Sequence, residues 1–177
     1  MVQVILLNGG SSSGKTTIAL SLQEILPDAW LRLSIDTLVD AMPRRLLTSE
    51  SGLEFGADGS VRPGNEFRLL ELAWMHGIAA MARAGAHVIV DDVFVSGVAA
   101  RDRWQTALAD LSVLWVGVRC DPATAAAREH ARGDRITGMA QLQAQTVHAG
   151  IVYDLEVDTS AMLALECAQR IAQLVND

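Results

Sequence analysis

The sequence predicts a three-layer α/β sandwich built on a mainly parallel five-stranded sheet. Short apolar runs alternate with segments of helical pattern along all 177 residues, which is typical of a parallel sheet covered by helices on both faces. No period of about 20–50 residues recurs, so a solenoid is excluded. The length matches one domain of roughly 100–200 residues, and we expect residues 1–177 to form a single domain.

The predicted strands are short apolar runs that end at polar or turn-forming residues. The first run, Val2–Leu7, stops at Asn8-Gly9-Gly10. The others cover Leu31–Ile35, His87–Val90, Val113–Val118 and Leu155–Val157. Because these runs are nearly continuous rather than alternating, we expect strands that are buried on both faces.

Helical patterns fill the intervals between the strands. The predicted helices cover Lys15–Leu26, Thr37–Leu47, Phe67–Arg83, Gly97–Asp110, Pro122–Arg132, Met139–Ala149 and Ala161–Val175. The pattern of Phe67–Arg83 is close to a helical stripe, and Gly85 follows it where a C-terminal cap belongs. Glycine and charged residues interrupt the segment 51–64, which we expect to be an irregular excursion.

Composition and charge limit the class of protein and its partners. Fourteen lysines and arginines against 21 aspartates and glutamates give a net charge of −7, which opposes binding to nucleic acid. No apolar run approaches the roughly 20 residues that cross a bilayer, and the first run lacks the basic segment of a signal peptide. We expect a cytoplasmic globular protein, with Cys120 and Cys167 as reduced core residues. Homo-oligomerisation is left open.

The residues Gly9-Gly10-Ser11-Ser12-Ser13-Gly14-Lys15-Thr16 match the pattern G-x-x-x-x-G-K-[ST] between a predicted strand and a predicted helix. Such a P-loop cradles phosphates with backbone N–H groups, while its lysine supplies a cation and its threonine a hydroxyl for Mg²⁺. The alternative is a flexible Gly/Ser turn. We predict a fold of the P-loop kinase type that binds ATP through Gly9–Thr16, Thr17 and Arg128, with Lys15 as an exposed cation of the loop.

Phosphoryl transfer also needs an acidic residue at the end of a neighbouring strand to hold the magnesium ion. Val88-Ile89-Val90-Asp91-Asp92 supplies two candidates. Asp91 leaves the strand first and is predicted to serve the metal together with Thr16, with Asp92 as its substitute. The alternative is that the two carboxylates cap the next helix.

Three arginines gather in the segment Arg-Glu-His-Ala-Arg-Gly-Asp-Arg at 128–135. Small kinases stabilise the charge of the moving phosphoryl group with arginines on a lid. We predict such a lid at about 122–138, with Arg132 and Arg135 in catalysis and Arg128 at the nucleotide. The alternative is a solvated helix end whose arginines pair with Glu129 and Asp134.

A carboxylate at the end of the second strand faces a P-loop across the crevice and can take the proton of an acceptor hydroxyl. Asp36 holds this position and is the predicted catalytic base, and Asp40, one turn further, is the fallback. Asp36 can also be the N-cap of the following helix, a role that is compatible with the first.

Several blocks of the sequence resemble the chloramphenicol phosphotransferase family. They are Leu7–Ser12, Asp36–Pro43, Met81–Ala86, Val90–Phe94, Leu114–Asp121 and Ala131–Arg135. The resemblance implies ATP-dependent O-phosphorylation of the primary hydroxyl of chloramphenicol. It also implies that Asp36 is the base, that Gly9–Thr16 is the nucleotide loop and that Arg132 and Arg135 face the phosphates.

Two other functions stay open at this point. The first is a kinase of the same architecture for another small hydroxylated acceptor, such as a sugar, a nucleotide-sugar as in zeta-type toxins, or a metabolite. The second is a nucleotide-binding module without turnover. Trp30 and Trp74 flank the excursion and are candidates for the acceptor pocket, although core burial is favoured. Asp158-Thr159-Ser160 is expected either at the adenine or as a cap of the last helix.

Overall fold

A computed structural model describes residues 1–56, 58–133 and 138–176. In chain order the elements are β1 Val4–Asn8, α1 Lys15–Ile25, β2 Trp30–Ser34, α2 Ile35–Ala41, a 3₁₀ helix Arg44–Thr48, β3 Leu53–Phe55, β4 Val61–Pro63, α3 Asn65–Arg83, β5 His87–Asp92, α4 Val98–Ala107, β6 Val113–Arg119, α5 Pro122–Arg132, α6 Met139–Thr146, β7 Leu155–Asp158 and α7 Ala164–Asn176.

Five strands form one parallel sheet in the order β2-β5-β1-β6-β7. The residues of β1 are fully buried and alternate between two cores, with Ile5 and Leu7 on one face and Val4 and Leu6 on the other. Helices α1 and α7 cover the first face, and α3 and α4 cover the second. The predicted three-layer sandwich is therefore confirmed, and its two cores each bury side chains worth about 1.5–3 kcal/mol apiece.

The predicted helix at 37–47 is divided in the structure. Helix α2 begins at Ile35, because the hydroxyl of Ser34 caps it by accepting the Thr37 N–H at 3.1 Å. It ends at Ala41, since Met42 precedes a proline and adopts an extended conformation. The chain then continues as the short 3₁₀ helix.

The segment 51–64 is not irregular as expected, because it contains an antiparallel hairpin of β3 and β4. The backbone around this hairpin is tightly packed. A Cβ at Gly64 would lie only 2.0 Å from the carbonyl oxygen of Glu50, so only glycine fits there. Leu53 of the hairpin packs with Leu38, Leu46 and Phe67 in a small separate core beside the main sheet.

Two other properties of the described chain bear on the expectations. Cys120 and Cys167 are free and buried, as predicted. None of the helices that the structure describes is long and apolar enough to span a membrane.

Candidate active site

The candidate site lies at the carboxyl end of the parallel sheet, where β1 is flanked by β5 on one side and β6 on the other. The chain runs from the end of β1 to β2 on one side of the sheet and from the end of β6 to β7 on the other, and α/β sheets bind ligands in the crevice at such a point. The P-loop, the end of β5 and the start of α2 meet in this crevice, and two cavities open on it.

The P-loop connects β1 to α1, in the context that the motif requires. Gly14 is the N-cap of α1 and has a φ of 89°, a left-handed conformation that glycine adopts without strain. A Cβ at Gly9 would lie 2.6 Å from the carbonyl oxygen of Val118 on β6. Gly14 is therefore required by its backbone conformation, and Gly9 is required by the close approach of β6.

Lys15 is not the exposed cation that we expected. Its side chain is only 7% exposed, and its Nζ donates to the carbonyl oxygen of Gly10 at 2.8 Å. Nζ also lies 3.9 Å from Oδ1 of Asp91 at the end of β5. The side chain is buried because Lys15 is the first residue of α1, where the helix meets the neighbouring strand end.

Thr16 and Asp91 bring two side-chain oxygen groups together beside Lys15. The Thr16 hydroxyl donates to Oδ2 of Asp91 at 2.7 Å. Asp92 points to the other side of β5, as alternate strand residues do, and its carboxylate accepts the indole N–H of Trp104 and the N–H of Val93. The geometry therefore favours Asp91 over Asp92 for a metal. Neither carboxylate caps α4, whose N-cap is Gly97.

Burial raises the pKa of Asp92 from 3.8 to about 6, although hydrogen bonds from Trp104 and Val93 lower it. Because the folded protein holds this proton more tightly than the unfolded chain, protonation of Asp92 increases the free energy of unfolding. This contribution has its full value below pH 3.8 and is lost as the pH rises through about 6.

We expect the indole ¹⁵N–H resonance of Trp104 to titrate with a midpoint near pH 6, because this N–H donates to the Asp92 carboxyl. The Trp104→Phe variant identifies the resonance in NMR spectra. A midpoint near 3.8 would contradict the assignment.

The arginines of α5 line the site in different ways. Arg128 donates to the carbonyl oxygen and the hydroxyl of Thr159, at 2.9 and 3.0 Å. Arg132, at the end of α5, lines both cavities. The buried carboxylate of Glu129 accepts the N–H groups of Gly138 and Ala140 at the start of α6, so it ties α5 to α6. Arg135 and Asp134 lie outside the described residues, as does part of the predicted lid.

Replacing Arg132 with alanine is expected to lower kcat by about 10²-fold, because the charge that it faces develops in the transition state. The dissociation constant of the nucleotide should change much less, so steady-state kinetics and calorimetry together test the role. Arg83→Ala is the matched control, since Arg83 pairs with Asp110 just before the amino ends of β5 and β6, away from the cavities. If Arg132→Ala and Arg83→Ala lower kcat by similarly small factors, Arg132 is a solvated arginine without a catalytic role.

Asp36 lies in the first turn of α2, directly after β2, and it is exposed to one of the two cavities. The capping role considered for Asp36 belongs to Ser34. Asp40 is exposed one turn further along α2 and does not line this cavity. Of the two predicted bases, the structure brings Asp36 alone to the cavity that Lys15 and Thr16 also line.

The cavity at Asp36 has an apolar wall that comes mostly from the segment after β2. Its lining includes Val39, Leu53, Phe55, Val61, Pro63 and Phe67. We call it the acceptor cavity, after the role that the sequence analysis predicts for Asp36. The two tryptophans that flank this segment do not line it, because Trp30 packs in the main core against His87, and Trp74 packs between two cores. The favoured expectation of packing in the core is confirmed, and the alternative that they line the acceptor pocket is wrong.

The second cavity runs along the other side of the P-loop. We call it the nucleotide groove, after the role that the sequence analysis predicts for the P-loop and Arg128. It is lined by Gly14, Thr17, Arg128 and the residues after β7. Thr159 closes this side by donating its hydroxyl to the carbonyl oxygen of Ser13 at 2.7 Å. Thr159 and Ser160 thus lie at the groove, whereas Asp158 does not cap α7, which begins only at Ala164.

The acceptor cavity and the nucleotide groove share four residues, which are Ser12, Lys15, Thr16 and Arg132. Ser12 has a φ of 58°, a conformation that is uncommon outside glycine and often marks a functional site. A group bound in one cavity therefore meets a group bound in the other beside a lysine, a threonine hydroxyl and an arginine.

Three residues of the site were missed in the sequence. Asn8 is buried and joins three segments, because it donates to Val147 O and Tyr153 Oη and accepts the Phe94 N–H. Glu71 is a buried carboxylate of the acceptor cavity, held by Arg68 and Arg103. The sequence does contain a signal for Glu71, because a carboxylate inside the apolar stripe of α3 would be buried. Gln143 of α6 also lines the cavity, but nothing in the sequence distinguishes it from its neighbours Gln141 and Gln145.

Comparison with known proteins agrees with this geometry. The family model described as chloramphenicol phosphotransferase-like protein matches residues 2–176. A protein of Mycobacterium tuberculosis named "Putative O-phosphotransferase" is 34% identical over 183 residues, covering 96% of this chain and 80% of the relative. The resemblance noted from the sequence blocks is therefore confirmed.

Solved structures show the same fold at low identity. A sugar kinase from Janibacter sp. HTCC2649 has a TM-score of 0.71 at 17% identity, covering 99% of this chain and 95% of that one. The APS kinase of Mycobacterium tuberculosis, in complex with AMPPNP and APS, has a TM-score of 0.62 at 17% identity, covering 99% and 98%. The predicted P-loop kinase type of fold is confirmed.

Proposed function

This chain belongs to the family of chloramphenicol phosphotransferase-like proteins, and on that premise we propose that it transfers the γ-phosphoryl group of ATP to the primary hydroxyl of chloramphenicol. The coarser activity is that of a small-molecule O-phosphotransferase with a P-loop. The donor and the acceptor are the finer part of the proposal, and the site supports each of them separately.

The observation that carries the proposal is the junction of the two cavities. Phosphoryl transfer requires a donor and an acceptor in line, with positive charge at the group that moves between them. Lys15, Thr16 and Arg132 stand where the nucleotide groove meets the acceptor cavity. A γ-phosphoryl group at this junction would face an acceptor hydroxyl that lies near Asp36.

In the proposed reaction, a bond forms between the acceptor oxygen and the γ-phosphorus, and the bond from that phosphorus to the bridging oxygen of ADP breaks. The hydroxyl proton passes to the carboxylate of Asp36. Lys15 and Arg132 oppose the charge on the phosphoryl oxygens, and the N–H groups of the loop hold the other phosphates. ADP and the phosphorylated alcohol leave.

The residues present fit a magnesium ion. The Thr16 hydroxyl and the Asp91 carboxylate are adjacent oxygen ligands, and Mg²⁺ is commonly held by one or two such ligands, together with water and substrate phosphates. No group of three or more His, Cys, Asp and Glu residues within the described ranges could hold a metal by itself. When bound, Mg²⁺ neutralises negative charge on the β- and γ-phosphate oxygens.

The residues that line the acceptor cavity fit an alcohol that carries an aromatic ring, such as chloramphenicol. Its apolar wall, with Phe55 and Phe67, suits an aromatic ring. The same cavity is also lined by the polar residues Asp36 and Gln143 and by Lys15 and Thr16 of the P-loop. An acceptor with one apolar end and one hydroxylated end would therefore place its hydroxyl toward the P-loop.

Mass spectrometry of the reaction products tests the substrate. Purified protein with millimolar chloramphenicol, ATP and Mg²⁺ is expected to form phosphorylated chloramphenicol, and ADP release is compared with shikimate, gluconate and UDP-N-acetylglucosamine as acceptors. Phosphorylation of another member of this panel and not of chloramphenicol would support a different small hydroxylated acceptor. Nucleotide binding without ADP release on any of them would support the module without turnover.

A further inference from the structure

Helix α6 is packed directly on the P-loop. A Cβ at Gly10 would lie 3.0 Å from both Cβ of Gln143 and the backbone nitrogen of Ala144. At the other end of this contact, Asn8 donates to the carbonyl oxygen of Val147, at the C-cap of α6. Gly10 is therefore needed for the close approach of α6, and the helix is held in place against the loop.

The hydrogen bond between this helix and the loop fixes the orientation of the Gln143 amide. The N–H of Ser11 donates to Oε1 of Gln143 at 2.7 Å. Because a backbone N–H can only donate, the carbonyl end of the amide must face the loop, and the NH₂ end must face away. Nε2 has no hydrogen-bond partner within residues 1–56, 58–133 and 138–176.

The position of Gln143 indicates which ligand its NH₂ group meets. The residue as a whole is 6% exposed, but within the described residues its Nε2 is not among the buried polar atoms that lack a partner, so the NH₂ group opens on accessible space. Gln143 lines the acceptor cavity, and it does not line the nucleotide groove. An oxygen atom of a molecule in the acceptor cavity can therefore accept from these donors.

We propose that Gln143 is a specificity-determining residue that donates its Nε2–H to an oxygen of the acceptor molecule while its Oε1 holds the Ser11 N–H of the P-loop. One rigid amide then sets the distance between the bound acceptor and the loop that positions the phosphates. This assignment rests on the proposed function, because it takes the cavity at Asp36 to be the acceptor site. It adds that the acceptor carries a hydrogen-bond-accepting oxygen besides the hydroxyl that reacts.

The test separates the two ends of the amide. Gln143→Glu keeps an oxygen for the Ser11 N–H and removes the NH₂ donor, whereas Gln143→Met removes both. In Gln143→Glu we expect the KM for the acceptor to rise by about 3–10-fold, with the KM for ATP changed by less than about twofold. In Gln143→Met both KM values should rise, since the loop also loses its contact with α6.

Gln145→Glu is the matched control, because Gln145 is exposed on the same helix and receives the same charge. It should keep the parent values. A parent-like acceptor KM in Gln143→Glu, or a rise confined to the KM for ATP, overturns the proposal and leaves Gln143 as a residue that only supports the loop. Circular dichroism verifies that each variant is folded.

The kinetics are measured with chloramphenicol and with every panel acceptor that the parent protein phosphorylates. If the parent turns over gluconate or shikimate and not chloramphenicol, the proposed substrate fails. The assignment of Gln143 is then decided by the KM for the acceptor that is turned over. Failure of the proposed substrate is thus seen in which acceptor is phosphorylated, and failure of the assignment of Gln143 is seen in the KM for that acceptor.

Discussion

Replacing Lys15 with alanine is expected to lower kcat for phosphoryl transfer by about 10³-fold or more. Lys15 is the only lysine of the chain, and its Nζ stands at the junction of the nucleotide groove and the acceptor cavity. No other lysine can replace the lost charge at the γ-phosphoryl group. ADP release under saturating ATP and acceptor measures the effect.

The burial of Lys15 requires a control for folding. Its ammonium lies 3.9 Å from Asp91, and removing one partner of a buried pair leaves the other charge uncompensated. We therefore expect Lys15→Ala to unfold at a lower urea concentration than the parent. Lys15→Met keeps the apolar stem and removes only the charge, so it should be folded by circular dichroism and equally inactive. A folded methionine variant with the parent rate would contradict the role of Lys15.

The single lysine allows a second measurement on the unmodified protein. An amine-reactive reagent can modify only the Lys15 side chain and the amino terminus. We expect ATP with Mg²⁺ to protect Lys15 from modification, because the P-loop would then hold phosphates around Nζ. Peptide mass spectrometry distinguishes the two sites. Equal modification with and without nucleotide would place the nucleotide elsewhere.

Replacing Asp36 with asparagine is expected to lower kcat by about 10²–10⁴-fold, the usual contribution of a general base. Asparagine has nearly the same size and keeps one oxygen, but it cannot take the proton of the acceptor hydroxyl. Nucleotide binding should be retained, because Asp36 lines the acceptor cavity and not the nucleotide groove. Cells that express the parent should survive on chloramphenicol, and cells that express Asp36→Asn should not.

Asp40→Asn is the matched control for this substitution. Asp40 is an exposed aspartate one turn further along α2 and does not line the cavity, so this variant should keep the parent kcat. A loss in Asp40→Asn with a fully active Asp36→Asn would reverse the assignment. A loose transition state needs less help from a base, so a loss below about 10-fold would identify Asp36 as an orienting hydrogen-bond partner.

Some features of this protein were determined by the sequence itself, because they are local along the chain. The P-loop is a run of consecutive residues between a strand and a helix, and Gly14 acts through its own left-handed backbone conformation. The inner strands β1, β5 and β6 are apolar runs that are largely buried on both faces, so their residue types identify them without knowledge of their neighbours. The edge strands β2 and β7 are partly exposed, so for them the expected burial on both faces is wrong. The family resemblance likewise rests on contiguous blocks.

Other features were decided only by tertiary structure, because they depend on contacts between distant segments. The packing of α1 against the end of β5 buries Lys15, and the phase of β5 in the sheet turns Asp91 to Thr16 and Asp92 to Trp104. Helix α6 contains three glutamines, Gln141, Gln143 and Gln145, at alternate positions. Only the docking of this helix on the P-loop brings Gln143 to the cavity. Side-chain surroundings follow from how elements pack, and the periodicity of one element does not contain that information.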